Sequence, residues 1–131
     1  MAGLKLDGAG QAKLRTLDDA LLLLQRINGI VEQYALALKR EQPASVYIQN
    51  IRRQLPSLAE NVKGQFGTIA DLILSVNLAS SRGASEAMRL RMLREGVQQI
   101  KQAIEISMTQ TKAKHAVDDT RPAAKPGEDA T

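Results

Sequence analysis

The stretch Pro56–Ile106 reads PSLAENVKGQFGTIADLILSVNLA as far as residue 79 and, after the joint Ser80-Ser81-Arg82-Gly83, continues as ASEAMRLRMLREGVQQIKQAIEI. Before the joint, Leu58, Val62, Gln65, Ile69, Leu72, Val76 and Ala79 recur at alternating steps of four and three, the spacing that places a mostly apolar stripe along one side of a helix. After it, Leu90, Leu93, Val97, Ile100 and Ile104 repeat the pattern. A short joint containing glycine turns the second helix back along the first, as an antiparallel hairpin, and the rest of the chain must cover that hairpin.

Working toward the N-terminus, Pro56 interrupts the pattern. With Ser57 as a cap the helix restarts there, the favoured reading; the alternative is one continuous helix kinked at the proline. The preceding segment, Val46 to Leu55, has Tyr47, Ile48, Ile51 and Leu55 spaced to bury one side of a short helix capped by Ser45, with Arg52 and Arg53 turned outward. Pro43 ends the helix before it. That helix is predicted to begin at Thr16 as its cap, and Leu17, Ala20, Leu24, Ile27, Val31, Tyr34 and Leu38 form a heptad seam along it. Leu21, Leu22, Leu23 and Ile30 widen its apolar surface beyond one seam, which predicts self-association. Gly29 lies inside it at a cost of roughly 1 kcal/mol relative to alanine; close approach of another backbone and a tolerated defect both account for it.

Residues 1–13 are expected to be a mobile arm, 14–115 the bundle, and 116–131 a disordered acidic tail, since Pro122 and Pro126 exclude a continuous helix there. The fold class is therefore all-α: an up-and-down bundle of about four helices with disordered termini.

Among 131 residues, 44% are hydrophobic but only Tyr34, Tyr47 and Phe66 are aromatic, so the core is aliphatic. There is no cysteine, hence no disulfide and no thiolate chemistry. No apolar run approaches the roughly 20 residues needed to span a bilayer, and no signal-peptide pattern opens the chain. The expected setting is cytoplasmic, without a membrane partner. From Lys39 to His115, twelve Lys or Arg face six Asp or Glu, a net of +6, whereas Ala116 to Thr131 carries a net of −2. A basic body with an acidic tail suits a polyanionic partner, and it equally suits a solvated helical surface.

Arg91, Arg94, Gln98 and Lys101 are spaced three, four and three, lining one side of the final helix, predicted over about Ala84 to Lys112, next to its apolar stripe; Arg82 and Arg89 extend the field toward the joint. With Arg52 and Arg53 these make the candidate nucleic-acid surface, whose contacts would be salt-dependent and largely independent of sequence. Gly64 and Gly67 resemble a phosphate-clamping Gly-x-x-Gly loop, but that module also needs a three-stranded sheet and the chain offers no strand candidates. Catalysis fails on inventory. His115 is the only histidine and reads as a solvated helix-end residue with no second ligand for a metal; Glu60 and Asp71, three helical turns apart, read as polar-face residues. No cofactor, metal site or catalytic residue is expected, and the protein is not expected to be an enzyme.

The run Leu55-Pro56, Gly64-Gln65, Ser75-Val76-Asn77-Leu78-Ala79, Gly83 and Leu93-Arg94-Glu95-Gly96-Val97 resembles the four-helix-bundle proteins of the 23S rRNA intervening-sequence family, whose relatives include the accessory variability determinants of diversity-generating retroelements. The family's Asn-Ile-Ala-Glu-Gly close reads Asn77-Leu78-Ala79-Ser80-Ser81 here, and its paired arginines are missing between Gln65 and Asn77. The resemblance implies a small basic bundle that forms a ring-shaped homo-oligomer, commonly a pentamer, and binds nucleic acid, RNA or DNA; resemblance to the retroelement relatives further implies a reverse transcriptase as partner, which they bind as non-catalytic accessories. A structural or adaptor bundle that binds a partner protein is the alternative.

Overall fold

A computed structural model of the chain describes residues 4–81 and 85–118. It is an all-α four-helix bundle, with α1 Gly8–Lys39, α2 Ser45–Lys63, α3 Gly67–Ser81 and α4 Glu86–Lys114, closed at one end by two three-residue strands, β1 Leu4–Leu6 and β2 Ala116–Asp118. Helix α1 packs on α2 and α4, and α3 packs on the same two, so α2 and α4 occupy opposite corners. No helix among the described residues is long and apolar enough to cross a membrane.

The seam of α1 is as its spacing predicts. Leu17, Ala20, Leu24, Ile27, Val31 and Tyr34 are buried, with Ala37 completing the row and Leu38 half-buried beside it. In α4, Leu93, Val97, Ile100 and Ile104 are buried as a stripe, joined by Gly96, against which Val76 of α3 packs. Burying a Leu or Ile side chain contributes about 1.5–3 kcal/mol, which makes these rows, with Ile48, Ile51, Leu55 and Leu58 of α2, the main source of stability.

The segment boundaries differ from expectation in several places, each for a physical reason. Helix α1 starts eight residues before Thr16. Its cap is Asp7, whose Oδ1 accepts from the Gly10 N–H at 2.6 Å, while the Thr16 hydroxyl donates to the Ala12 carbonyl at 3.1 Å inside the helix. The expected arm is thus strand and helix from Leu4 onward, and residues 116–118 of the expected tail pair antiparallel with it, Leu4 opposite Asp118 and Leu6 opposite Ala116. Residues 119–131 lie outside the described part. Pro56 does not break α2: the proline sits within a 19-residue helix whose buried face runs through Leu55, Leu58 and Ala59 on both sides of it, and packing outweighs the lost backbone hydrogen bond. The break comes instead at 64–66, where the Gln65 and Phe66 amides both donate to the Val62 carbonyl.

That break resets the phase of the apolar row. Ile69, Ala70, Ile73, Val76 and Ser80 are the buried positions of α3, while Gln65 and Ala79 are exposed and Leu72 is half-buried. Helix α4 begins two residues later than expected, capped by Ser85, which accepts from the Met88 N–H at 3.2 Å, and runs on to Lys114. Gly29 is exposed, and nothing approaches within 4 Å of a Cβ built on it, so no contact within the chain requires a glycine there.

Helix α1 ends in a Schellman turn: Gln42 N–H donates to Ala37 O at 2.8 Å and Glu41 N–H to Leu38 O at 3.1 Å. Glu41 consequently holds φ at 54°, in the left-handed region that costs a side-chain-bearing residue roughly 1–2 kcal/mol. Glu41→Gly is expected to raise stability in urea unfolding by about 0.5–1 kcal/mol, the relieved strain exceeding the added chain entropy of glycine. A loss of stability would show that the Glu41 side chain contributes more than its backbone costs.

Candidate nucleic-acid interface

The cations of α4 are positioned by its amphipathic period: burying Leu93, Val97 and Ile100 leaves Arg91, Arg94, Gln98 and Lys101 exposed along one side. Two of them already have carboxylate partners. Arg94 makes a two-point contact with Glu32 of α1, Nε to Oε2 at 3.1 Å and Nη2 to Oε1 at 2.7 Å. The guanidinium's hydrogen bonds hold the Glu32 carboxyl below the usual glutamate range, and the carboxylate holds Arg94 above the ordinary arginine value. Both groups are about half exposed, so the pair adds orientation more than stability. Arg91 Nε lies 3.3 Å from Glu95 Oε2 one turn along, in full solvent. Lys101 has no carboxylate partner among the described residues. It lines a groove of about 110 Å³ between α1 and α4 together with the amides of Gln25, Asn28 and Gln98.

Arg89 has a different task. It is half-buried, and its Nε donates to the Ser80 carbonyl at 2.9 Å, placing a cation on the negative end of α3. Arg52 and Arg53 are exposed on α2, the corner opposite α4, with Arg53 Nη2 3.5 Å from Asn50 Oδ1. Arg82 lies outside the described residues. Of the expected set, the structure brings together Arg91, Arg94 and Lys101 and sets the α2 pair apart.

Spacing along one helix could not reveal Glu32, Gln25 and Asn28, which α1 contributes across a long sequence separation. Nor could it reveal the surroundings of His115. Rather than a solvated helix end, this histidine is mostly covered: its Nδ1 is 3.2 Å from Asp7 Oδ1, its Nε2 is 3.4 Å from Lys13 Nζ, and its carbonyl accepts from the Asp7 N–H at 3.1 Å. Gly10 permits this, because a Cβ there would overlap the His115 Cβ. Asp7 is held below the usual aspartate range, first by the Gly10 N–H and then by the histidine. Its cap therefore contributes stability above the ordinary carboxylate pKa, and that contribution is lost as pH falls through the depressed value.

Glu60 and Asp71 border an α2–α3 groove of about 330 Å³ with Lys63, which is 3.9 Å from Glu60. Among the described residues no three His, Asp or Glu side chains are grouped to hold a metal ion. No protein-family model matches the chain, and neither the curated proteins nor the solved structures give a match.

Proposed function

We propose that this bundle is a non-enzymatic nucleic-acid-binding protein whose contact surface is the outer side of α4, from Arg91 to Lys101, with the amide-lined α1–α4 groove beside it. The observation that carries this reading is the exposure of Arg91, Arg94 and Lys101 on one side of one helix, in a segment with a net charge of +6. Glu95 and Glu32 do not prevent it. Solvent-exposed ion pairs are worth only about 0–1 kcal/mol, and a phosphate offers the same two-point geometry to Arg94 as the carboxylate it replaces. Arg52 and Arg53 would then serve a second strand or a second copy.

Exposed Leu22 and Leu36 lie seven residues to either side of Gly29, on one side of α1, and support the further reading of a homo-oligomer. The resemblance to the retroelement accessory proteins supports a reverse transcriptase as protein partner. The adaptor reading draws on the same exposed leucines and on the groove lined by Pro56, Ala59, Ala70 and Leu74.

Replacing Arg91, Arg94 and Lys101 with glutamine removes three charges at nearly constant helix propensity. Fluorescence anisotropy with a short RNA and a duplex DNA is expected to show weaker binding for every sequence. The slope of log affinity against log salt should become shallower by up to about one for each phosphate that is no longer neutralised. Truncation after Asp118 spares β2 and removes a net charge of −1, three acids against two bases, and should strengthen binding slightly. An unchanged affinity and slope in the triple variant would favour the adaptor reading.

A further inference from the structure

Helices α2 and α3, of 19 and 15 residues, are shorter than α1 and α4, of 32 and 29. The α2–α3 turn therefore stops short of the bundle's strand-closed end. In the step it leaves, a pocket of about 150 Å³ opens between the ring of Phe66, the first turns of α1 and the last turns of α4. Lys13, Lys114 and His115 line it, together with the polar side chains of Ser107, Gln110 and Thr111.

The chemistry of this lining is one-sided. No carboxylate lines the pocket, and neither Lys13 nor Lys114 forms an ion pair among the described residues, in contrast to Arg91 and Arg94. Asp7, whose carboxylate also attracts Lys13 through space, does not line the pocket and is engaged at the imidazole. It accepts from Gly10 N–H and faces Nδ1, which turns Nε2 toward Lys13. With Nδ1–H donating to Asp7, Nε2 accepts one proton of the Lys13 ammonium and leaves its other two free. Lys13 and the exposed Lys114 thus border a small recess that also offers hydroxyl and amide donors. Like charges gathered in this way repel unless an anion lies between them. A tetrahedral oxyanion accepts hydrogen bonds in several divergent directions, as these donors require.

We propose that this pocket binds a phosphate group, either inorganic phosphate or the terminal monoester of a nucleic-acid strand. The site is distinct from the α4 surface: Lys114 lies thirteen residues beyond Lys101, about 20 Å along the helix. It stands whether or not that surface binds nucleic acid.

The test is a titration of the ¹⁵N-labelled full chain with inorganic phosphate against sodium chloride at equal ionic strength, followed by amide shifts. Saturable shifts confined to Lys13, Phe66 and residues 107–115 are expected. Lys13→Gln with Lys114→Gln should weaken them at least tenfold, Lys13→Arg with Lys114→Arg should retain them, and the Arg91, Arg94 and Lys101 glutamine variant should titrate as the parent does. A 5′-phosphorylated oligonucleotide that competes at tenfold lower concentration than its 5′-hydroxyl form identifies the strand end as the source. Competition by neither oligonucleotide identifies free phosphate, and equal competition by both assigns the effect to backbone diesters and overturns the proposed monoester site. Shifts that chloride reproduces, or a glutamine pair that binds phosphate as the parent does, overturn the site.

Discussion

Ile73→Ala is expected to cost about 2–5 kcal/mol of folding stability, the range for emptying a well-packed aliphatic site, while Leu72→Ala costs a fraction of that. Ile73 is wholly buried at the centre of α3, facing the other helices, whereas its neighbour is only half covered. Urea unfolding of the two variants reads the register of α3 directly, because Ile73 and Leu72 lie on opposite sides of the line through the shared buried positions Ile69 and Val76. A larger loss for Leu72→Ala would restore the continuous stripe running through Gln65 and Ala79.

The second large effect is expected at Gly96. A Cβ there would overlap Val76 Cγ1 and come within 2.9 Å of Cγ2, and a β-branched valine has little freedom to turn away. Gly96→Val should destabilise by about 3 kcal/mol, at the upper end of overpacking costs. Even Gly96→Ala should lose stability, despite the roughly 1 kcal/mol that alanine gains in helix propensity. The close approach is specific, so the loss should be coupled: Val76→Ala combined with Gly96→Ala should be more stable than the two single changes predict, by about 1 kcal/mol or more. Strict additivity would mean that α3 and α4 do not meet at this pair.

These two positions mark where the sequence is legible and where it stops being so. The α1 seam from Leu17 to Tyr34 and the α4 stripe from Leu93 to Ile104 are readable because each helix is long and unbroken, so period alone determines the buried side. The α2–α3 unit is different. Its two strongest local signals compete, and the proline loses to tertiary packing while the stretch between Gly64 and Gly67 supplies the turn. Misplacing the point where the helix breaks shifts the centre of the buried side by less than one residue, which is why Ile69 and Val76 stay in the core while Ile73 and Ser80 replace Leu72 and Ala79 there.

For the candidate site, the exposed row on α4 follows from helical spacing, but its electrostatics do not. Glu32 meets Arg94 across 62 residues of chain and Asp7 meets His115 across 108, distances over which no local pattern carries information. Arg89 shows the reverse: its charge is plain in the sequence, yet its use against the α3 terminus depends on how the hairpin closes.

The antiparallel pairing of Leu4–Leu6 with Ala116–Asp118 brings the two extremities of the described polypeptide to a single spot, with paired Cα atoms roughly 4.5–5.5 Å apart. A unit whose two ends coincide in space is portable. It fits within a surface loop of a larger host as a cassette, without prising the host's loop open. Joining Asp118 back to Leu4 through a short tether likewise makes the order of the helices cyclic, so that the α2–α3 turn becomes as good a place to begin the chain as the present one.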